Sequence, residues 1–270
     1  MVAWFRRDAT VMDHSGRWAD LRVRVISAVV MIALGIFEVY EGGVLFLIGI
    51  LLLVAAMIWE VSELTAEIGG AFSIVLGLTA AFCLFLWTIV LSPLVGVVLL
   101  CVPSLGLLLT RRGDRRLMAI YALAVMVAGT GFLMLRAEGA GVFVWLVLVV
   151  VASDTLGYFV GRTLGGPKFW PRISPKKTWS GTIAGWLGAF GVGVVFVWYG
   201  FPTVLLVLSP LVAFAGQIGD IAESWLKRRA GVKDSSSLIP GHGGVLDRFD
   251  ALIGATLAVQ GLTLILPGLG

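Results

Sequence analysis

The chain has 270 residues, 59% of them hydrophobic and 13% charged, with a mean hydropathy of +1.01. Soluble domains run nearer about 45–50% apolar and about 25% charged, so the composition argues against a soluble globular fold and excludes disorder, collagen and a disulfide scaffold. The formal net charge is +4, and both cysteines, Cys83 and Cys101, lie in apolar runs, where a thiol is ordinary packing.

Residues 1–24 carry Arg6, Arg7, Arg17, Arg22 and Arg24 with Asp8, Asp13 and Asp20, and no uninterrupted apolar core. They do not read as a secretory signal. With Trp4 and Trp18 among the arginines they suggest a cytoplasmic segment lying on a membrane surface, against the alternative of a frayed tail; His14 reads as solvated. Apolar runs then predict nine spans, near 25–41, 43–60, 70–91, 93–110, 117–136, 140–161, 181–200, 202–226 and 249–267. Ser92-Pro93 is the natural turn within the long stretch 70–110. With the N-terminus inside, nineteen of the twenty Lys and Arg residues fall on one side, and only Arg136 falls on the other. That asymmetry is the positive-inside pattern, and it accounts for the net charge without nucleic acid. The fold class expected is all-α, a polytopic integral membrane bundle of about nine transmembrane helices with a cytoplasmic N-terminus. Within it, residues 25–136 read as scaffold, where Trp59-Glu60 and Glu63 merely end the second span. Residues 137–270 hold nearly everything reactive.

Asp154 lies eight residues before Arg162, hence roughly 12 Å inside that end of its helix. A carboxylate at this depth is a functional candidate, or else a structural residue joining helices. Gln217, Asp220, Ser224 and Lys227 fall on one helical stripe, with Glu223 beside it. Such a stripe lines a cavity or pairs with another polar helix. Asp220 is its deepest acid and the better metal ligand; Glu223 could simply pair with a lysine. Next comes the loop Lys233-Asp234 to Pro240-Gly241-His242-Gly243-Gly244, followed by Asp247-Arg248 and Asp250. Its glycines allow close approach of a ligand, and its backbone N–H groups with Lys233 and Arg248 suit phosphate oxygens. Asp247 and Asp250 share a face at the start of the ninth span. A lone acidic pair there would be capping, but Asp247 with Asp220 could bind a hard cation such as magnesium beside substrate phosphates. Ser174, Lys176, Lys177 and Thr178 stand where the seventh span should begin, a natural anion site; the positive-inside rule alone would also place basic residues there. His242 could donate to a phosphate or position the loop. Neither a zinc set nor a serine–histidine–acid arrangement is apparent.

The stretch from Ser224 to Asp250 resembles the signature of the phosphatidate cytidylyltransferases, in its pieces Ser224-x-x-Lys227-Arg228, Lys233-Asp234, His242-Gly243-Gly244 and Asp247-Arg248-Phe249-Asp250. Ser174 to Trp179 with Gly181, and Asp154 with Tyr158 and Gly161, are also similar to family segments. The first half resembles the family only in hydropathy and in Arg22 to Ser27. Ser180 departs from it, standing where an acidic residue is expected. The resemblance implies transfer of CMP from CTP to phosphatidic acid with magnesium, in a bacterial inner membrane, the site facing the cytoplasm. It makes a homodimer an expectation too. Asp220 and Asp247 would then hold the metal, with Asp154, Glu223 and Asp250 as further candidates. Lys176, Lys177, Lys233 and Arg248 would hold phosphates, and Ser174, Thr178, Lys227, Arg228, Asp234, His242, Gly243 and Gly244 would line the substrate site. Two other readings compete: a CTP-dependent kinase of polyprenol or phytol, and a secondary transporter using Asp154 and Asp220. The transporter predicts polar residues through to the outer face, where the last spans are almost wholly apolar.

Overall fold

A computed structural model describes residues 14–64, 70–110, 113–171 and 173–265. Of residues 1–24, read as a membrane-surface segment, 1–13 lie outside the described residues, as do Arg111, Arg112 and Arg172, and 14–24 belong to the first helix.

Each apolar run becomes one helix: α1 (His14–Glu41), α2 (Gly43–Glu63), α3 (Ala71–Ile89), α4 (Pro93–Leu108), α5 (Arg115–Glu138), α6 (Ala140–Leu164), α7 (Trp179–Trp198), α8 (Leu205–Arg229) and α9 (Leu246–Ile265). Eight are long and apolar enough to cross a membrane, where a helix satisfies its backbone polar groups internally. The exception is α4, whose 16 residues reach about 24 Å, short of a hydrocarbon core of about 30 Å. The break before it falls at Ser92, extended in backbone, with Pro93 opening the helix, where its fixed φ suits a first turn.

One element departs from the all-helical expectation. Between α6 and α7 the chain forms a small antiparallel hairpin, β1 (Lys168–Trp170) and β2 (Ser174–Thr178), pairing Lys168 with Thr178 and Trp170 with Ser174. Lys176 and Lys177 therefore lie on a strand, not on the first turn of a helix as the sequence led us to expect. Thr178 is the N-cap of α7, its hydroxyl accepting from Gly181 N at 3.3 Å. Ser180, at the departure from the family pattern, donates to the Gly165 carbonyl at 2.5 Å and so ties the α6 exit to α7.

The last four helices pack in sequence, α6 on α7, α7 on α8, α8 on α9; α2 packs on α3 and α4 on α5, while α5 meets α9. Two close approaches need glycine. A Cβ on Gly181 of α7 would collide with the Gly157 carbonyl of α6, and one on Gly219 of α8 would lie 2.5 Å from the Asp250 carbonyl of α9. Small residues let membrane helices meet at the backbone in this way. Here they bring Asp154, the hairpin, Asp220 and Asp250 to one end of the bundle.

By contrast, α1 is hardly packed: none of its apolar window is buried. At its middle, the Ser27 hydroxyl lies 2.8 Å from His242 Nδ1 and donates toward the Pro240 carbonyl at 3.0 Å. At its C-terminal end, Arg136 of α5 donates to the Val39 and Tyr40 carbonyls at 2.8 and 3.4 Å.

Candidate active site

A cavity of about 720 Å³ opens between α6, the hairpin, α7 and α8, lined by Asp154, Arg162, Lys168, Lys176, Lys177 and Asp220 among others. Lys177 reaches Asp220 Oδ2 at 2.5 Å, and its ammonium also donates to the Gln217 carbonyl at 3.4 Å. Ser224, one turn on, donates to Asp220 Oδ1 at 3.3 Å. Below them Gln217 is fixed on both sides, donating to Ser153 Oγ at 3.1 Å and accepting from Trp186 Nε1 at 3.1 Å. The floor is thus rigid and satisfied. Asp154 opens onto the cavity, with Asp220 and Lys177 within electrostatic reach. Four cations around two carboxylates suit a polyanion that arrives with a cation of its own.

The second cluster is closed. Lys227 of α8 lies between two carboxylates, 2.6 Å from Glu223 Oε2 and 2.5 Å from Asp247 Oδ1. Asp247 Oδ2 accepts from Ser235 N at 3.0 Å, Ser235 Oγ at 3.0 Å and Gly244 N at 2.7 Å. Asp247 therefore draws together the start and the end of the glycine loop, in the first turn of α9 where a carboxylate is favoured. From the opposite side Glu60 of α2 grips the same loop, accepting from Ser236 Oγ at 2.5 Å, Val245 N at 2.9 Å and Leu246 N at 2.6 Å. Arg248 donates to the His242 carbonyl at 2.6 Å, and Arg228 to the Val232 carbonyl at 3.2 Å. Lys233 and Asp234 are exposed.

The polar stripe of α8 is therefore divided between two surroundings. Gln217 and Asp220 face the cavity with Lys177 and Thr178, whereas Glu223 and Lys227 are buried with Asp247. Asp250 lies within electrostatic reach of both Asp220 and Asp154. Ser174 stands at the start of β2. Among the described residues, no three His, Cys, Asp or Glu side chains come close enough to cage an ion unaided. Sequence reasoning passed over Glu60, Ser235 and Ser236. The distance in sequence from Glu60 to its partners, more than 170 residues, hid its role, and the only local signal was a carboxylate before the true end of the second span.

Apolar helices long enough to cross a membrane, with a cavity at one end lined by lysines and carboxylates, give the architecture of a membrane protein with a charged site. The profile of the cytidylyltransferase family matches residues 22–265, and the chain belongs to that family. It is 36% identical over 258 residues to the phosphatidate cytidylyltransferase of Brucella abortus biovar 1 (strain 9-941), covering 88% of this chain and 91% of that protein. It is 39% identical over 142 residues to the phosphatidate cytidylyltransferase of Staphylococcus saprophyticus, covering 50% and 55% of the two chains. The protein of that name from Haemophilus influenzae is 38% identical over 155 residues, covering 52% and 53%.

Proposed function

We propose that this enzyme transfers CMP from CTP to phosphatidic acid at the cytoplasmic face of a bacterial inner membrane, giving CDP-diacylglycerol and pyrophosphate. The observation that carries the reading is the cavity itself, where Arg162, Lys168, Lys176 and Lys177 surround Asp154 and Asp220 at one end of the bundle. An oxygen of the lipid phosphate attacks the α-phosphorus of CTP, and the bond from that phosphorus to the β-phosphate bridging oxygen breaks. The lipid phosphate is already an anion at neutral pH, so no strong general base is needed. Positioning and charge neutralisation dominate. In this reading Lys168, Lys176 and Lys177 hold phosphates in the cavity, and Lys233, Arg248 and the N–H groups of the glycine loop hold those on its other side. Residues 137–270, with helices α6 to α9, form the catalytic region, and residues 25–136, from the span in α1 to α5, form the scaffold.

The donor set fits magnesium, which takes one or two carboxylates and completes its shell with phosphates and water. Asp220 would hold it, with Asp154 on the same cavity as a second carboxylate: Asp220 keeps 30% of its side-chain surface exposed beside Lys177. Asp247, the other ligand expected from the sequence, has one oxygen on Lys227 and the other on Ser235 and Gly244, so it would reach the ion only by giving up a bond of the loop clamp. When bound, the ion would neutralise nucleotide phosphates and assist departure of pyrophosphate.

The test is transfer of label from α-labelled CTP into lipid by detergent-purified protein, with magnesium titrated. Lipid-soluble label matched by pyrophosphate, and lost without magnesium, is expected. Label confined to water-soluble CDP, with a phosphorylated alcohol as the lipid product, would overturn the reading in favour of a lipid kinase.

A further inference from the structure

We infer that Glu60, on a helix outside the proposed catalytic region, is a positioning residue that sets the shape of the glycine loop for the nucleotide. The inference rests on the reading of that loop as part of the CTP site. Glu60 is fully buried, a costly place for a carboxylate unless it is fully hydrogen-bonded. Its two oxygens accept three hydrogen bonds, all from one segment: the Ser236 hydroxyl at the segment's start, and the Val245 and Leu246 amides at its end. The Ile239-to-Gly243 pairing, with Ile239 N donating to the Gly243 carbonyl at 2.8 Å, lies between these points. So Glu60 closes the loop that carries Gly241, His242 and Gly243.

Asp247 closes the same loop from the other face, through Ser235 and the Gly244 amide. Gly244 has no space for a side chain: a Cβ there would collide with Ser235 Oγ and lie 2.5 Å from Glu60 Oε1. The loop is thereby held by two clamps, one from α9 and one from α2. A cap on α9 alone would engage the Val245 and Leu246 amides. The bond to Ser236, nine residues earlier, marks a role in loop shape.

Glu60→Gln keeps the size but has one acceptor oxygen for amides that now use two, so one buried N–H loses its partner. Steady-state kinetics and thermal melting of the full chain in detergent test the inference. KM for CTP is expected to rise about tenfold, with KM for phosphatidic acid unchanged. Ser236→Ala is expected to raise it in the same direction, and the double variant by less than the product of the single effects. A lower melting temperature with both KM values intact, or a parallel rise in both, would reduce Glu60 to a structural cap and overturn the inference. Lys233→Ala and His242→Ala separate the two levels of the argument. If they raise KM for CTP and Glu60→Gln does not, the loop reading stands and the positioning role falls. If neither moves it, the loop is not a nucleotide site and the inference falls with that reading.

Discussion

Two lysine–aspartate pairs of equal length, 2.5 Å each, occupy opposite surroundings. In the cavity, Lys177 and Asp220 keep 24% and 30% of their side-chain surfaces exposed. In the loop clamp, Lys227 and Asp247 keep 11% and 4%. The first pair is the more exposed and has fewer other bonds, so in the proposed reading it is the one whose lysine would pass to a phosphate and whose aspartate would pass to a cation. The second is bound into Glu223, Ser235 and Gly244, so removing one partner strands a charge beside others in a poorly solvated place. Equal separations thus conceal different roles, and surroundings decide which pair is exchangeable.

Substitution of the buried lysine should break the comparison most severely. Lys227→Met leaves Asp247 and Glu223 without their shared cation, and stability should fall by about 3–5 kcal/mol, with activity lost alongside. Melting in detergent reads this directly; an unchanged melting temperature would mean that the clamp does not hold the loop. At the cavity pair, Asp220→Asn should leave melting unchanged while kcat drops on the order of 10²-fold and the magnesium requirement moves to higher concentration. Full activity in that variant would remove Asp220 from the reaction.

The smallest effect belongs to a third pair, Arg229 and Asp114, at 2.6 Å and half exposed at the arginine, with 49% and 27% of their side-chain surfaces accessible. The hydrogen bond from Arg229, aided by its charge, holds the Asp114 carboxyl below its ordinary value. A lowered carboxylate value stabilises the fold above the unfolded value, and the contribution disappears as pH falls through the folded one. Asp114→Asn should therefore lower melting slightly at neutral pH and match the unsubstituted chain in acid. A larger difference in acid than at neutrality would contradict that sign.

Hydropathy made the helices legible because each span must satisfy its own backbone in hydrocarbon, and Ser92-Pro93 marked the one break inside a long apolar run. The hairpin was not legible. Its strands have three and five residues, and Pro167, Pro171 and Pro175 give the segment the composition of a loop. Acids with a local pattern, such as Asp220 on its stripe and Asp247 at a helix start, were visible as candidates. What they touch was not, because Lys177, Ser235 and Gly244 reach them through tertiary packing. Glu60 shows the limit best: in sequence it is a charge before the end of a span, and only folding places Ser236, Val245 and Leu246 around it.

The weakly packed first helix has a mechanical consequence. A helix with none of its apolar window buried gains little from side contacts, so its few attachments set its seat. Ser27 at the His242 loop and Arg24 beside Gly241 hold it near mid-length, and Arg136 holds its last carbonyls. Loss of the Ser27 bond would loosen the helix where it touches the glycine loop, and loss of the Arg136 bonds would loosen its C-terminal end.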